Sequence, residues 1–328
     1  MLPNRIRILV SESIDFSKKA AAELGQQGDV ILAELDRNAL LAVVETVDVL
    51  WVRLRHQIDT EVLRRAARLK VIVSPTTGLD HIDLAETERR GIRVLSLRGE
   101  SDFLRDVRAT AEHTIALILS LIRHIPQASA HAKHGDWTRE LFRGSELHGK
   151  TAGIVGYGRL GRIVARYLRG FDTKVLVTDP NNHTENPDAG ITPTSLTMLL
   201  HDSDLVTLHV NLCETTRAFF GREQFAAMKP GAWFINTSRG EVVDEEALLT
   251  ALRSGRLRGA ALDVVSGERS PCLGNHPLVS YARENDNLII TPHIGGCTAE
   301  SMAKTELFLA DRLLAMLRGE TNFATTFV

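Results

Sequence analysis

Cysteine is scarce in this sequence. Only Cys213, Cys272 and Cys297 occur among 328 residues, and no two of them form a CxxC pair. An odd number of widely spaced cysteines suits reduced thiols in a cytosol. We therefore expect a cytoplasmic protein, and the sequence predicts no metal site.

A large excess of charge of one sign and a long apolar run are also missing. Lys and Arg number 39 against 41 Asp and Glu, which gives a net charge of −2. No global field therefore attracts nucleic acid or an anionic membrane, and any anionic ligand must be held by local groups. The longest candidate for a membrane span, residues 114–122, is about half the length that a span needs. No long apolar segment follows the basic residues of the N-terminus, so we expect no secretion signal.

The rest of the composition is that of an ordinary globular protein, with 44% hydrophobic and 24% charged residues. The length favours two domains. In the first hundred residues, short apolar runs predict strands at 6–10, 30–35, 49–52, 71–73 and 93–95. Helical patterns lie between them at 17–24, 37–44, 60–67 and 84–90, with Asp59 and Asp83 as N-caps and Gly25 and Gly91 as stops. This alternation predicts a parallel sheet that is covered on both faces.

The middle of the chain predicts a helix, a connection and a second α/β domain. Residues 98–108 are charged and have little periodicity, and a nearly all-apolar helix follows at 109–125 and stops at Pro126. We expect this helix to lie in an oligomer contact, which favours a homodimer; the alternative is an ordinary core helix. After a connector at 126–150, strands are predicted at 152–155, 174–177, 205–209, 232–236, 259–263 and 288–291. Helices are predicted at 245–254, capped by Asp244, and at 298–318, capped by Thr298.

One stretch has the pattern of a nucleotide-binding turn. Residues 152–155 predict a buried strand, residues 156–161 read GYGRLG, and an apolar helix face follows. Glycines at these positions fit a tight turn and a close approach of the backbone to a pyrophosphate, and the helix N-terminus offers N–H groups to the phosphates. A second apolar run ends at Asp179, about 20 residues past the glycines, where the adenosine ribose needs a carboxylate. The stretch therefore predicts dinucleotide binding.

Polar residues follow three later strands of the same domain. Arg239 comes after the strand at 232–236, Glu268 after the strand at 259–263, and His293 after the strand at 288–291. Ligands of open α/β sheets bind outside the carboxyl ends of the strands. Each residue alone is more often a solvated or turn residue than a catalytic one, but their shared position beside a predicted cofactor site favours a catalytic group.

Six segments across the chain carry further motifs: TTGLDHIDL (76–84), ATAEHTIALILSLIR (109–123), GKTAGIVGYGRLGR (149–162), FINTSRGEVVDEEAL (234–248), ALDVVSGE (261–268) and TPHIGG (291–296). Together they resemble the D-isomer-specific 2-hydroxyacid dehydrogenases, the family of D-3-phosphoglycerate dehydrogenase and of glyoxylate and hydroxypyruvate reductases. The resemblance covers nearly the whole chain. It implies an α/β fold of two doubly wound parallel-sheet domains. A Rossmann NAD-binding domain (109–297) is inserted in a flavodoxin-like substrate domain (1–108 and 298–328), and closure of the two excludes water.

The resemblance also implies a chemistry. Arg239 would hold the substrate carboxylate and keto oxygen, and His293 would protonate the carbonyl as hydride arrives from the nicotinamide. Glu268 would hydrogen-bond the imidazole and set its tautomer. The residues implied to bind NAD are Gly156, Gly158, Arg159, Leu160, Gly161, Asp179, His209, Thr237 and Asp263, with Asp179 favouring NAD over NADP. Those implied to bind a small 2-hydroxy or 2-keto acid are Thr77, Gly78 and Arg53, the last of which, with Arg55, is a candidate for a distal phosphate.

Three segments depart from the family pattern. Where the family usually has Glu-Pro, this sequence has Glu268-Arg269, and the loop that follows at 270–275 is elongated. Asn211 stands where the family often has Pro. The connection at 98–108 is longer than in many members. These departures put the substrate in doubt more than the reaction. We also expect no regulatory amino-acid-binding domain after Arg318.

Two functions from different classes fit these residues. The first is an NAD-dependent oxidoreductase that interconverts a D-2-hydroxy acid, 3-phosphoglycerate or a relative, with its 2-keto acid. The second is an NAD(H)-sensing binding protein like the carboxyl-terminal-binding protein corepressors. Those proteins need a peptide groove and usually carry extra tails, whereas this chain is compact at both ends, so the enzyme is favoured. Formate dehydrogenase is disfavoured because nothing resembles its extended N-terminal region.

Overall fold

The computed structural model describes residues 5–180, 187–270 and 272–320. The chain divides into two compact units, one formed by Met1–Val107 with Thr298–Val328 and the other by Arg108–Cys297. The domains predicted from the sequence, 1–108 with 298–328 and 109–297, include the two chain ends, of which residues 1–4 and 321–328 lie outside the described part.

The first unit contains a five-stranded parallel sheet with the order β2-β1-β3-β4-β5. Its strands are β1 Ile6–Val10, β2 Gly28–Leu32, β3 Val49–Trp51, β4 Val71–Ser74 and β5 Arg93–Ser96. Its helices are α1 Lys18–Leu24, α2 Arg37–Val43, α3 Thr60–Arg65, α4 Leu84–Arg89, α5 Ser101–Leu104 and, from the end of the chain, α13 Ala299–Leu317. This order is that of the flavodoxin-like doubly wound fold, so the predicted class is confirmed.

Local sequence explains where these helices begin. The side chains of Asp59 and Asp83 accept hydrogen bonds from amides in the first turns of α3 and α4, as predicted. The strand predicted at 30–35 begins earlier, at Gly28, because Gly28 pairs in register with Ile6.

Both faces of this sheet are covered. Along β1, Ile8 and Val10 pack into one core cluster and Leu9 packs into the other, as the alternation of a strand requires. The segment at 98–108, predicted to be irregular, contains α5. Its Phe103 ring stacks on Phe308 of α13 with ring centroids 3.9 Å apart, so tertiary packing orders a segment without apolar periodicity.

The second unit contains a seven-stranded parallel sheet with the order β12-β11-β10-β9-β6-β7-β8. Its strands are β6 Thr151–Val155, β7 Lys174–Thr178, β8 Ile191–Pro193, β9 Leu205–Leu208, β10 Ala232–Asn236, β11 Leu257–Leu262 and β12 Leu288–Ile290. Its helices are α6 Ala109–Ile122, α7 Ile125–Lys133, α8 Arg159–Arg169, α9 Leu196–Asp202, α10 Arg222–Ala227, α11 Glu245–Arg253 and α12 Pro277–Glu284. The order is that of a Rossmann fold with one added strand. The sequence prediction of six strands missed β8, a three-residue edge strand that ends in a proline, which only an edge tolerates.

Two predictions about the first helices of this unit were wrong. The helix predicted at 109–125 ends at Ile122, because His124 adopts a left-handed backbone conformation with φ 54°. Pro126 then lies in the first turn of α7, where its missing N–H costs nothing, so part of the predicted connector is helical. The buried side chains of α6, among them Ile115, Ile118 and Leu121, pack on the sheet of the same unit. The alternative reading of α6 as a core helix was therefore correct.

None of the helices in the described ranges is both long and apolar enough to cross a membrane. Cys213, Cys272 and Cys297 are exposed thiols.

Candidate active site

Six strands of the second unit end in register. The pairs Val155–Thr178, Val155–Leu208, Leu208–Asn236, Asn236–Leu262 and Leu262–Ile290 lie opposite one another in the sheet. The residue that follows each strand therefore lies at the same edge of the sheet. In chain order these residues are Gly156, Asp179, His209, Thr237, Asp263 and Thr291, five of which the sequence predicts to bind NAD.

The glycine turn between β6 and α8 has the shape that a pyrophosphate needs. Gly156 has φ +96°, and a Cβ there would lie 2.5 Å from the carbonyl oxygen of His209. A Cβ on Gly161 would overlap the carbonyl oxygen of Gly156. At Gly158, by contrast, no heavy atom lies within 4 Å of the Cβ position. The missing side chain of Gly158 thus leaves open space at the N-terminus of α8, where phosphate oxygens bind favourably.

Asp179 is tied to the glycine turn. Its Oδ2 accepts a hydrogen bond of 2.7 Å from the amide of Tyr157. This bond holds the carboxylate at the end of β7, beside the turn, where the ribose of a dinucleotide needs it. Of the other turn residues, Leu160 packs against the core and burial lowers the pKa of Arg159 below its usual value.

His209 and Thr237 lie at the ends of β9 and β10. Burial lowers the pKa of His209 to about 4, so the imidazole is neutral at physiological pH. Its Nε2 lies 3.1 Å from Thr207 Oγ1, and its Nδ1 has no partner in the described part of the chain. The hydroxyl of Thr237 lies 3.0 Å from that of Thr114 on α6.

The turn that carries Arg239 is built on a buried asparagine. The Oδ1 of Asn236 accepts hydrogen bonds from the amide and the hydroxyl of Ser238, at 3.0 and 2.7 Å. Its Nδ2 donates to the carbonyl oxygen of Arg239, at 2.8 Å. Asn236 is 1% exposed, so these bonds are protected from water. They fix the backbone from which the guanidinium extends.

Glu268 and His293 form a direct pair. The Oε1 of Glu268 lies 2.6 Å from Nδ1 of His293, and the two side chains are 20% and 19% exposed. A carboxylate at this distance accepts a hydrogen bond from Nδ1–H and leaves Nε2 as the ring nitrogen that can exchange a proton. Arg269, at the position where the family usually has proline, has a guanidinium nitrogen 3.9 Å from the same oxygen.

Two supporting groups were missed by the sequence analysis. His113 on α6 contacts Asp263, with Nε2 and Oδ1 3.1 Å apart. Glu245, in the first turn of α11, accepts a hydrogen bond of 2.7 Å at Oε1 from the amide of Ser266, and its Oε2 lies 3.1 Å from His276 Nε2. The available signal for His113 was a polar residue near the start of a largely apolar helix; nothing local distinguishes Glu245.

The predicted substrate residues lie in the first unit. The Nε and Nη2 atoms of Arg53 both contact Oε1 of Glu306, which is fully buried, and its Nη1 donates to the carbonyl oxygen of Ile14 at 2.8 Å. Arg55 pairs with Glu34 at 2.6 Å. The carbonyl oxygen of Gly78 accepts from the Thr76 hydroxyl at 2.7 Å, and that of Thr77 accepts from Nε of Arg98 at 3.4 Å.

Comparison with known proteins identifies the class. Residues 115–295 match the family model of the D-isomer specific 2-hydroxyacid dehydrogenase, NAD binding domain. The chain is 35% identical over 309 residues to D-3-phosphoglycerate dehydrogenase of Archaeoglobus fulgidus, which covers 94% of this chain and 56% of that protein. It is 33% identical over 313 residues to hydroxypyruvate reductase of Thermotoga maritima, covering 95% and 99%. The chain thus spans little more than half of the phosphoglycerate dehydrogenase but nearly all of the reductase.

A solved structure agrees. D-lactate dehydrogenase from Aquifex aeolicus, complexed with NAD and lactic acid, superposes with a TM-score of 0.80 at 27% identity, over 96% of each chain. The chain therefore belongs to the D-isomer-specific 2-hydroxyacid dehydrogenase family, an NAD-dependent class of oxidoreductase. The family, the fold class and the NAD cofactor predicted from the sequence are confirmed.

Proposed function

We propose that this protein is an NAD-dependent dehydrogenase that interconverts a D-2-hydroxy acid and its 2-keto acid. The observation that supports this most directly is the Glu268–His293 pair, with Oε1 and Nδ1 2.6 Å apart, on a sheet edge that also carries the glycine turn. An imidazole held by a carboxylate beside a dinucleotide site is suited to exchange a proton while hydride is transferred.

His293 is the proton donor in the direction of reduction. Bound NADH would supply the hydride for the carbonyl carbon. Nε2 of His293 gives its proton to the carbonyl oxygen. In the direction of oxidation Nε2 takes the hydroxyl proton. Glu268 holds Nδ1 at 2.6 Å and stabilises the imidazolium that this second direction creates.

Arg239 binds the substrate carboxylate. Its guanidinium is planar and presents paired N–H donors, which match a carboxylate better than the point charge of lysine does. The three hydrogen bonds between Asn236 and the turn hold the Arg239 backbone in one conformation. This preorganisation favours one orientation of the planar acid.

The residues at the strand ends fit a dinucleotide. The open space at Gly158 and the N-terminal amides of α8 suit the pyrophosphate, and Asp179, fixed by the Tyr157 amide, suits the ribose hydroxyls. The Asp179 carboxylate also repels a 2′-phosphate, which favours NAD over NADP. We assign Arg159, Leu160, His209, Thr237 and Asp263 to the same site by the family resemblance.

The substrate is a small 2-keto acid. In the proposed assignment, backbone groups of Thr77 and Gly78 contact its carboxylate. The two arginines considered for a distal phosphate, Arg53 and Arg55, each pair with a carboxylate, Glu306 and Glu34 respectively. Because these pairs offer little net positive charge to a second anion, unphosphorylated acids such as hydroxypyruvate and glyoxylate are favoured over 3-phosphohydroxypyruvate.

The proposal is tested with a panel of 2-keto acids, with and without a phosphate, assayed by oxidation of NADH. We expect reduction of at least one unphosphorylated acid, and loss of that activity in His293→Ala with NADH binding nearly intact. Undiminished activity of His293→Ala would remove the proposed acid. NADH binding without turnover of any acid would favour the corepressor-like alternative instead.

We also propose that the protein is a homodimer that forms through the segment after α6. This segment presents Ile125, Trp137 and Leu141, which are 49%, 88% and 66% exposed. Apolar side chains concentrated on one exposed segment are typical of a protein interface. Light scattering after gel filtration should give twice the monomer mass, and a Trp137→Ala/Leu141→Ala double variant should shift toward the monomer. A monomeric wild-type protein would contradict the assignment.

A cytoplasmic location is the third part of the proposal. Its support is the three exposed thiols, which persist in a reducing compartment. Cell fractionation with an antibody against the chain tests it.

A further inference from the structure

The turn that carries His293 is strained and pinned. His293 has φ 54°, in the left-handed region that side chains other than glycine rarely adopt. Three successive amides of this turn donate to one residue, Asp263. The amide of His293 donates to its carbonyl oxygen at 2.8 Å, that of Ile294 to Oδ1 at 2.9 Å, and that of Gly295 to Oδ2 at 2.8 Å. Asp263 therefore serves as the anchor of the turn.

Asp263 is itself held by His113 from α6. The Nε2 of His113 lies 3.1 Å from Asp263 Oδ1 and 3.0 Å from the hydroxyl oxygen of Thr291. Since the Thr291 hydroxyl donates its proton to Asp263 Oδ1 at 2.6 Å, the N–H of His113 is shared between both oxygens. The side chains of His113 and Asp263 are 17% and 2% exposed, so water competes weakly for these bonds.

The turn also packs directly on α6. A Cβ on Gly295 would lie 2.9 Å from Asp263 Oδ2, 3.2 Å from Thr110 Cγ2 and 3.7 Å from His113 Cδ2. The glycine thus permits a close approach between the turn and the helix. The His113 ring therefore lies beside the turn, in addition to its hydrogen bonds to Asp263 and Thr291.

The electrostatics agree with this geometry. Burial by itself would raise the pKa of Asp263, but the hydrogen bonds from His113, Thr291 and the amides of Ile294 and Gly295 together lower it. The carboxylate is therefore charged when it receives these bonds, and hydrogen bonds to a charged acceptor are the strong ones.

We propose that His113 is a positioning residue of the active site, which fixes Asp263 and Thr291 and through them holds the His293 turn in its strained conformation. Its effect on turnover rests on the proposed function, in which His293 transfers the proton. Its effect on the conformation of the turn does not, so the two are measured separately.

The test compares His113→Leu with His113→Gln. Leucine fills similar space without a donor, whereas the amide nitrogen of glutamine reaches the position of Nε2. His201→Leu is the matched control, because His201 also contacts a carboxylate, Asp202, at 2.8 Å but is 78% exposed. Amide hydrogen exchange reports directly on the hydrogen bonds that the amides of Ile294 and Gly295 donate to Asp263. The values of kcat, of KM for the keto acid and of Kd for NADH report how these bonds affect catalysis and cofactor binding.

In His113→Leu we expect exchange at Ile294 and Gly295 to accelerate by about ten-fold or more, the loss that one hydrogen bond to a buried charge predicts. We expect kcat to fall by a similar factor. The Kd for NADH should change by less than about three-fold, which is smaller than the effect of losing one such hydrogen bond. His113→Gln should restore most of the protection and of kcat, and His201→Leu should resemble the wild type.

Unchanged exchange at both amides in His113→Leu would overturn the proposal, as would equal losses in the glutamine and leucine variants. Accelerated exchange with an unchanged kcat would uphold the positioning of the turn and contradict the role of His293 instead. If His113→Leu does not fold, His113→Asn replaces it, since its shorter amide cannot reach Asp263. Protection that is equal in His113→Asn and His113→Gln would then overturn the proposal.

Discussion

Gly240 lies directly against the backbone of Val265. A Cβ on Gly240 would overlap the carbonyl carbon of Val265 and the amide nitrogen of Ser266, and would lie 2.6 Å from the Val265 oxygen. Gly240 follows Arg239, and Val265 precedes Glu268 by three positions. This contact therefore joins the turn that carries the proposed carboxylate-binding arginine to the loop that carries the partner of His293.

Gly240→Ala should consequently separate these two segments. Because the neighbouring atoms are backbone and cannot rotate away, we expect a loss of about 2 kcal/mol or more in the free energy of unfolding. We also expect a larger fall in kcat than in NADH affinity. Urea denaturation and steady-state kinetics measure the two. Gly274→Ala is the control, because its nearest neighbour is the flexible Arg283 at 3.8 Å; equal stability of both variants would show that the loop simply shifts.

Arg239→Lys should lower kcat/KM for the keto acid by about 100-fold although the charge is kept, because lysine cannot form the paired hydrogen bonds of a guanidinium. The measurement is NADH oxidation over a range of keto-acid concentrations. Arg222→Lys, a change of an exposed arginine in the same unit, should leave the rate unaltered. A rate for Arg239→Lys equal to that of the wild type would remove Arg239 from the substrate site.

Asp179→Asn should weaken the preference for NADH over NADPH. The asparagine oxygen can still accept from the Tyr157 amide, which lies 2.7 Å from Oδ2 in the wild type, but the charge that repels a 2′-phosphate is gone. We expect the ratio of kcat/KM values for NADH and NADPH to fall by about ten-fold. Asp172→Asn removes a charge that is 81% exposed and should not change the ratio, and an unaltered ratio in Asp179→Asn would place the selectivity elsewhere.

His209 should make the protein less stable in mild acid. Burial lowers the pKa of His209 to about 4 from an ordinary value of 6.5, so below pH 6.5 the unfolded chain binds a proton that the folded chain does not. The unfolding free energy should therefore fall as the pH drops from 6.5 toward 4, by up to about 3 kcal/mol from this group.

The measurement is urea denaturation of the wild type and of His209→Gln across this range. Because glutamine does not titrate there, the stability of the wild type relative to the variant should be constant above pH 6.5 and should shrink below it. A difference that does not depend on pH would show that the imidazole is accessible to water in the folded protein.

Much of the fold was predictable because its signals are local. Apolar runs of four or five residues defined β1, β6 and β10, and Asp244 caps α11 with bonds to the amides of Glu246 and Ala247. The failures have physical causes. A proline can stop a helix or lie in the first turn of the next one, and the sequence does not show that Pro126 does the second. The three residues of β8 are too few to show the alternation of a strand. The composition of α6 predicted that the helix is buried, but it did not show that the helix packs on the sheet of its own unit.

The candidate site shows the same division. The rule that ligands bind at the carboxyl ends of parallel strands selected Arg239, Glu268 and His293 from the sequence. Their roles remain predictions. The contact between His113 and Asp263, 150 positions apart in the chain, had no sequence signal beyond a polar residue near the start of a largely apolar helix.

The sequence by itself determined the alternation of strands and helices, the glycine turn and the family, because each depends on residues that are close together in the chain. Only the tertiary structure decided which distant side chains pair. Arg53, a candidate phosphate ligand in the sequence, instead contacts the buried Glu306, 253 positions away, and the backbone of Gly240 meets that of Val265. Such contacts arise when strands that are separated in the chain align in one sheet, and a charge that is buried by this packing must take the partner that the fold brings to it.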